Sequence, residues 1–175
     1  MGVSRYSPPM SLLLLTAGTI LAAPGKWDDK LADVEATLSI PAPPDKVFNY
    51  LLDLRNLVTI FPADCTGKWE LGDRTFGEGA NAYVRYDMGV MHRRLALTLT
   101  HALGPTTIDF DHLGNKGFIT RWTLAASAVG TDVRLRTPLN PPPKPLRGVF
   151  YTSVQPEWQR CYQRTLTNLA TEMAR

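Results

Sequence analysis

Two polar aromatic side chains, Tyr86 and His112, have the chemistry needed for proton transfer. A phenol and an imidazole both serve as general acids or bases, and each lies in a stretch where apolar and polar residues alternate. In that alternation both share a face with the apolar residues, whereas the carboxylates Asp87, Asp109 and Asp111 fall on the opposite face. Because this apolar face lacks carboxylates, we predict no catalytic residue and interpret Tyr86 and His112 as polar groups in an apolar wall.

Metal and cofactor chemistry has little support in the sequence. The histidines are His92, His101 and His112. A hairpin centred near Leu103 would separate His101 from His112 by about five residue pairs, roughly 16 Å, which is too far to share one metal ion. The chain contains no HExxH, CxxC or GxSxG motif. We therefore expect no metal site and no cofactor.

The chain has two cysteines, Cys65 and Cys161. A disulfide between them would close a loop of about 96 residues, worth about 4–5 kcal/mol in the chain-entropy description. The alternative is two separate buried thiols. The sequence leaves both interpretations open.

The elements that would position these side chains follow from the periodicity of the apolar residues. Apolar residues recur at helical spacing after Pro44 and again from Pro156 to Met173, where the helix would be about 27 Å long. Seven runs alternate as strands do, namely residues 34–40, 68–71, 82–88, 94–100, 108–111, 118–126 and 133–137. The pattern predicts an α+β fold with one antiparallel sheet and a C-terminal helix long enough to cross six strands about 4.8 Å apart.

Many large apolar residues share one face of this predicted sheet. A twisted antiparallel sheet curls, and a single helix laid into it leaves either a packed core or a cavity. We predict that the following residues line a ligand cavity, and the alternative for each is an ordinary core position: Trp69, Tyr86, Leu97, Leu99, Phe110, His112, Trp122, Leu124, Leu135, Phe150, Val154, Trp158 and Tyr162.

The N-terminal segment differs from the rest of the chain. Arg5 precedes an apolar run, Met10 to Ala23, that is too short to span a bilayer of roughly 30 Å. A positive start, a short apolar stretch and small residues are typical of a secretory signal. We predict a signal peptide over residues 1–23, a polar lead-in over 24–33 and a ligand-binding domain over 34–175, with the protein exported to the periplasm or cell envelope. An uncleaved anchor or a misassigned start codon is the alternative.

The segment from Ser39 to Pro62 resembles the opening of the START/Bet v 1-like superfamily, also called polyketide cyclase/dehydrase and lipid-transport proteins. The matching positions are Ile40, Ala42-Pro43, Asp45, Val47-Phe48, Leu51, Asp53 and Phe61-Pro62. The resemblance extends over residues 34–173 and implies a helix-grip fold, in which a curved sheet holds a long C-terminal helix across its concave face. It also implies a deep cavity. Members bind lipids, sterols, quinones, polyketides or hormones, and a minority catalyse cyclisation.

These observations predict noncatalytic binding or transport of an apolar small molecule such as a lipid, quinone, sterol or polyketide-like compound. Two alternatives stay open: a cyclase or aromatase acting on a polyketide-like substrate, and a protein-interaction module of the coenzyme-Q-binding type. The formal net charge of +3 is mild, so we expect no nucleic-acid partner. Transient membrane contact is compatible with this charge, and we expect a monomer.

Overall fold

The computed structural model describes residues 32–88, 91–113, 119–139 and 143–175. The predicted signal peptide and residues 24–31 of the lead-in lie outside the described residues, so export stays a prediction. Within the described ranges, no helix is both long enough and apolar enough to cross a membrane.

One curled sheet of seven antiparallel strands forms the frame, in the order β1-β7-β6-β5-β4-β3-β2. The strands are β1 (Ala32–Ile40), β2 (Thr66–Leu71), β3 (Asn81–Met88), β4 (Met91–Leu103), β5 (Thr107–Leu113), β6 (Ile119–Ser127) and β7 (Gly130–Leu139). Consecutive strands from β2 to β7 are neighbours, and β1 returns to pair with β7. In β3 and β7 every second residue is buried, as the alternation predicts.

Strand β4 is longer than its sequence pattern indicates. The alternation ends at Thr100, yet the strand continues to Leu103. The register between β4 and β5 shifts between Leu99 and His101. Such a bulge adds one residue to one strand and interrupts the alternation, which is why the sequence pattern stops early.

Helices cover the concave face of the sheet. Between β1 and β2 lie α1 (Pro44–Leu51) and α2 (Leu54–Ile60); after β7 come α3 (Lys144–Val149), a π-helical turn (Phe150–Val154) and α4 (Gln155–Met173). Pro44 occupies the first turn of α1, where its missing N–H costs nothing. The carboxylate of Asp53 accepts a hydrogen bond from the backbone N–H of Arg55 at 2.9 Å and caps α2.

Helix α4 also protects the free edge of β1. The side-chain amide of Gln159 donates to the carbonyl of Glu35 and accepts from the backbone N–H of the same residue at 3.1 Å. Gln155 donates to the carbonyl of Asp33 at 3.1 Å. The two glutamines thus provide hydrogen-bond partners for backbone groups of β1 to which another strand could otherwise bind.

The hydrophobic core lies between the concave sheet face and these helices. Its largest fully buried side chains include Trp122, Trp158, Tyr162 and Phe110. The predicted fold, a curved antiparallel sheet with two short helices after the first strand and a long C-terminal helix, is confirmed.

Candidate functional site

The candidate site is a small interior space between the sheet, α2 and α4. Its walls are mostly apolar and aromatic, and they come from strands β2 to β6, from α2 with its C-terminal cap, and from α4. The lining residues are Leu57, Phe61, Trp69, Tyr86, Leu97, Phe110, His112, Thr120, Trp122 and Tyr162. The volume left between them is about 10 Å³, which is room for about one water molecule. Within the described part of the chain, this space is much smaller than the deep cavity that we expected, because aromatic side chains fill most of it.

The predicted lining residues fall into two groups. Seven of them border the space: Trp69, Tyr86, Leu97, Phe110, His112, Trp122 and Tyr162. The other six lie outside its walls: Leu99, Leu124, Leu135, Val154 and Trp158 are buried in the core, and Phe150 is half-buried. Leu99 and Leu124 share the sheet face but lie nearer the β4–β5 turn, where Gly104 packs under Phe48 of α1. Ligand contact by the first group stays a prediction.

Three lining residues were missed in the sequence analysis. Leu57 and Phe61 enter from α2 and its C-terminal cap, and Thr120 comes from β6. The alternation along β6 predicts the position of Thr120. Thr120, Trp122 and Leu124 are spaced two residues apart and therefore lie on the same face of the strand. Periodicity places Leu57 on a buried stripe of α2, but it does not say which part of the core that stripe meets.

Aromatic rings pack against one another around the space. Tyr86 stacks on Trp158 with ring centroids 5.8 Å apart, and it lies 5.7 Å from the ring of His112. Phe61 contacts Trp69 at 5.8 Å and meets Trp122 edge-on at 6.4 Å. Such contacts are individually weak, so the rings can rearrange without breaking a hydrogen-bonded frame.

A row of hydrogen-bonded polar side chains crosses this apolar interior, and we call it the polar row. His112 Nε2 lies 2.9 Å from Thr120 Oγ1, Thr120 Oγ1 lies 2.8 Å from Thr137 Oγ1, and Thr137 Oγ1 lies 2.5 Å from the Tyr162 hydroxyl. All four residues are buried. Since buried polar groups are costly unless paired, the row places hydrogen-bonding capacity at the wall of the space.

Burial sets the protonation states of the titratable side chains that border the space. It lowers the pKa of His112 to about 3, so the imidazole is neutral at ordinary pH. Burial also raises the pKa of Tyr162 to about 12, and the pKa of Tyr86 lies well above its ordinary value for the same reason. The wall is therefore uncharged and suits a neutral ligand.

Metal ligands do not gather at this site. Among the described residues, no group of three or more histidine, cysteine or acidic side chains is arranged to hold a metal ion. The pairing puts His101 opposite Asp109 and His112 opposite Leu97. The two histidines therefore lie apart along the β4–β5 ladder.

The two cysteines lie close together at the side of α4. Cys65 and Cys161 are both buried free thiols, and both line one small cavity. The structure brings the two residues to the wall of the same cavity, where both thiols are free.

The fold and the interior define a class: helix-grip proteins, with an apolar space between a curved sheet and a long C-terminal helix. The particular family follows from comparison with known families, because residues 32–174 match the family described as polyketide cyclase / dehydrase and lipid transport. The chain belongs to this family. Comparison with curated proteins gave no match.

Solved structures share the fold at low sequence identity. The solution structure of the KanY protein has a TM-score of 0.72 and 19% identity, covering 83% of this chain and 99% of that chain. The Zhui aromatase/cyclase from Streptomyces sp. R1128 has a TM-score of 0.64 and 19% identity, covering 83% of this chain and 94% of that chain. Major latex-like protein 151 from Panax ginseng has a TM-score of 0.58 and 11% identity, covering 82% and 98%.

Proposed function

We propose that this protein binds an apolar small molecule between its sheet and α4, without transforming it. The observation that carries the proposal is the polar row inside an apolar, aromatic interior. A few polar groups within apolar walls are typical of small-molecule sites, where they orient the ligand. The description of the family, which includes lipid transport, supports the same assignment.

The chemistry of the walls defines the ligand class. The body of the ligand is apolar and packs against Trp69, Trp122 and Phe61. One carbonyl or hydroxyl oxygen reaches the polar row at Thr120 or Tyr162. A lipid, quinone, sterol or polyketide-like compound meets both requirements. Because the present space is about 10 Å³, the ligand enters by displacing aromatic side chains that are held by contacts rather than hydrogen bonds.

A fluorescent apolar probe tests the proposal. N-phenyl-1-naphthylamine should bind the folded protein with one-to-one stoichiometry and a dissociation constant on the order of micromolar. Members of a panel of fatty acids, sterols and naphthoquinones that carry one polar oxygen should displace it. Absence of saturable binding by the probe and by every panel member would overturn the proposal.

A matched pair of variants locates the bound probe. Leu97 and Leu99 are both buried on the same face of β4, but only Leu97 borders the space. Leu97→Ala enlarges the space and should tighten probe binding about fivefold or more, since apolar cavities accept apolar guests. Leu99→Ala removes the same atoms elsewhere and should leave the affinity unchanged. Equal responses of the two variants would contradict the assigned position.

A second candidate function is cyclisation of a polyketide-like substrate. It is favoured by the neutral His112 imidazole at the wall, beside Tyr86, and by the likeness to an aromatase/cyclase. His112→Asn and Tyr86→Phe separate the two functions. Product formation from an aromatic polyketide precursor that is lost in both variants, with probe binding retained, would favour the enzyme. If the wild-type protein binds the probe, and neither the wild type nor any variant forms product, the result favours the carrier function.

We also propose that the protein is exported and works in the periplasm or cell envelope, where it contacts membranes transiently. The support is the N-terminal pattern of Arg5 followed by a short apolar run. N-terminal sequencing of the full chain after expression in a Gram-negative host tests this. Cleavage after Ala22 or Ala23 is expected, whereas an intact N-terminus on cytoplasmic protein would contradict export.

A further inference from the structure

The contact between α4 and the segment that follows α2 has a regular set of anchors, which we call the α2–α4 seam. On α4 the anchors are Cys161, Arg164 and Asn168, spaced three and four residues apart and therefore on one helix face. Asn168 donates to the carbonyl of Ile60 at 2.8 Å, and Arg164 donates to the carboxylate of Asp64 at 2.5 Å. The third anchor is the pair of thiols, Cys161 and Cys65, which line one cavity beside these two contacts.

The seam adjoins the interior space. Leu57 and Phe61 belong to α2 and its cap, and Tyr162 follows Cys161 on α4; all three border the space. Separating α4 from the α2–β2 connection would therefore open one wall, and fixing the two together would hold that wall closed.

The thiols are buried within the protein but are reached from a polar cavity. This cavity has a volume of about 50 Å³ and is lined by Cys65, Cys161 and five charged side chains: Asp64, Asp87, Glu157, Arg160 and Arg164. Cys65 is 8% exposed and Cys161 is 0% exposed. A reagent entering from this cavity therefore meets Cys65 first.

Their exposure makes the two cysteines chemically unequal, because Cys161 is fully buried and Cys65 is not. The neighbouring Cys161 thiol lowers the pKa of Cys65, whereas the Cys65 sulfur together with burial raises the pKa of Cys161. Because the thiolate is the nucleophile, Cys65 is the thiol that reacts first.

We propose that Cys65 and Cys161 form a redox-active pair that closes into a reversible disulfide across the α2–α4 seam. The oxidant is a small disulfide such as oxidised glutathione. Cys65 thiolate attacks one sulfur of that disulfide, which releases one thiolate and leaves a mixed disulfide on Cys65. Cys161 then loses its proton and attacks the Cys65 sulfur, releasing the second thiol. Two protein thiols become one disulfide, and one small disulfide becomes two thiols.

Single-cysteine variants give the order of attack a direct test. The full chain is equilibrated in glutathione buffers of graded oxidised-to-reduced ratio, quenched with an alkylating reagent and analysed by mass spectrometry. Wild type should lose the mass of two hydrogens and yield a peptide linking Cys65 to Cys161. Cys161→Ser should accumulate a glutathione adduct on Cys65, whereas Cys65→Ser should stay unmodified. Two free thiols in wild type at every ratio, or disulfides only between different molecules, would overturn the proposal.

A second measurement tests the mechanical effect of the disulfide. Hydrogen exchange of the amides in residues 60–66 should be at least about tenfold slower in the oxidised than in the reduced protein, because a cross-link suppresses local opening. The double variant Cys65→Ser/Cys161→Ser should show no difference between the two buffers. Equal exchange in the oxidised and reduced wild type would contradict closure of the seam.

The effect on ligand exchange rests on the proposed function. N-phenyl-1-naphthylamine should dissociate more slowly from the oxidised than from the reduced protein, because one wall is held. If the disulfide forms but the probe never binds, the proposed function fails while the redox pair stands. If the probe binds and dissociates at one rate in both states, the redox pair does not control the wall.

Discussion

At the scale of single residues, the polar row is the most informative feature of the interior. His112, Thr120, Thr137 and Tyr162 come from four different elements, and each is buried. Their hydrogen bonds remove the cost of burial, and this arrangement keeps polar oxygens next to an apolar space. We expect substitutions in the row to alter both stability and ligand preference.

The neutral state of His112 gives stability a specific pH dependence. Its pKa is about 3 in the folded protein and 6.5 in the unfolded chain. Between these values only the unfolded chain binds the proton, so this group lowers the free energy of unfolding as the pH falls below about 6.5, by about 1.4 kcal/mol per pH unit. Denaturant titrations at pH 7 and pH 5 measure the change.

The matched variant for this prediction is His112→Asn, which keeps a polar partner for Thr120 but does not titrate. Its loss of stability between pH 7 and pH 5 should be smaller than that of the wild type. His101→Asn, at an exposed position, should follow the wild type. A wild-type pH dependence that survives in His112→Asn would show that His112 is not the responsible group.

The hydroxyl of Tyr162 should contribute measurably to stability. Tyr162→Phe removes the partner of Thr137 and should cost about 1–2 kcal/mol of the free energy of unfolding. Tyr50→Phe is the control, because its hydroxyl hydrogen-bonds to Thr59 at an exposed site and should cost about 0.5 kcal/mol or less. Equal costs in urea denaturation would argue against a special role for the buried row.

At the scale of elements, the edge strand β1 depends on α4. Gln159→Ala should leave the backbone N–H and carbonyl of Glu35 unpaired and cost about 1–3 kcal/mol. Amide exchange at Glu35 should become faster in this variant. Gln163→Ala changes an exposed residue one turn later on the same helix and should have little effect. An unchanged Glu35 amide in Gln159→Ala would contradict the edge-capping role.

The elements themselves could be predicted well from the sequence, because the alternation in β3 and β6 and the stripe on α4 follow directly from burial of one face. The contacts between elements could not. Nothing in the spacing of Gln155 or Gln159 indicates that they pair with β1. Similarly, the proximity of Cys65 and Cys161 depends on how α4 crosses the sheet, which no local pattern encodes.

At the scale of the whole molecule, the fold was predictable and the interior volume was not. The order of strands and helices and the motif from Ile40 to Phe61 are sufficient for a helix-grip fold. The volume inside it depends on how Trp69, Trp122 and Phe61 pack, and small shifts of such side chains decide between a filled core and a cavity. The deep cavity therefore stays a prediction, and the space between the described side chains is about 10 Å³.

Methyl NMR of leucine-labelled protein would show whether an apolar ligand binds between the sheet and α4, as we propose. On titration with N-phenyl-1-naphthylamine, the methyl signals of Leu57 and Leu97 should shift and saturate together, because both side chains border the space. The methyl signals of the buried core residues Leu99, Leu124 and Leu135 should change little. Shifts confined to exposed leucines such as Leu103 and Leu146, or no shift at all, would show that no ligand binds between the sheet and α4.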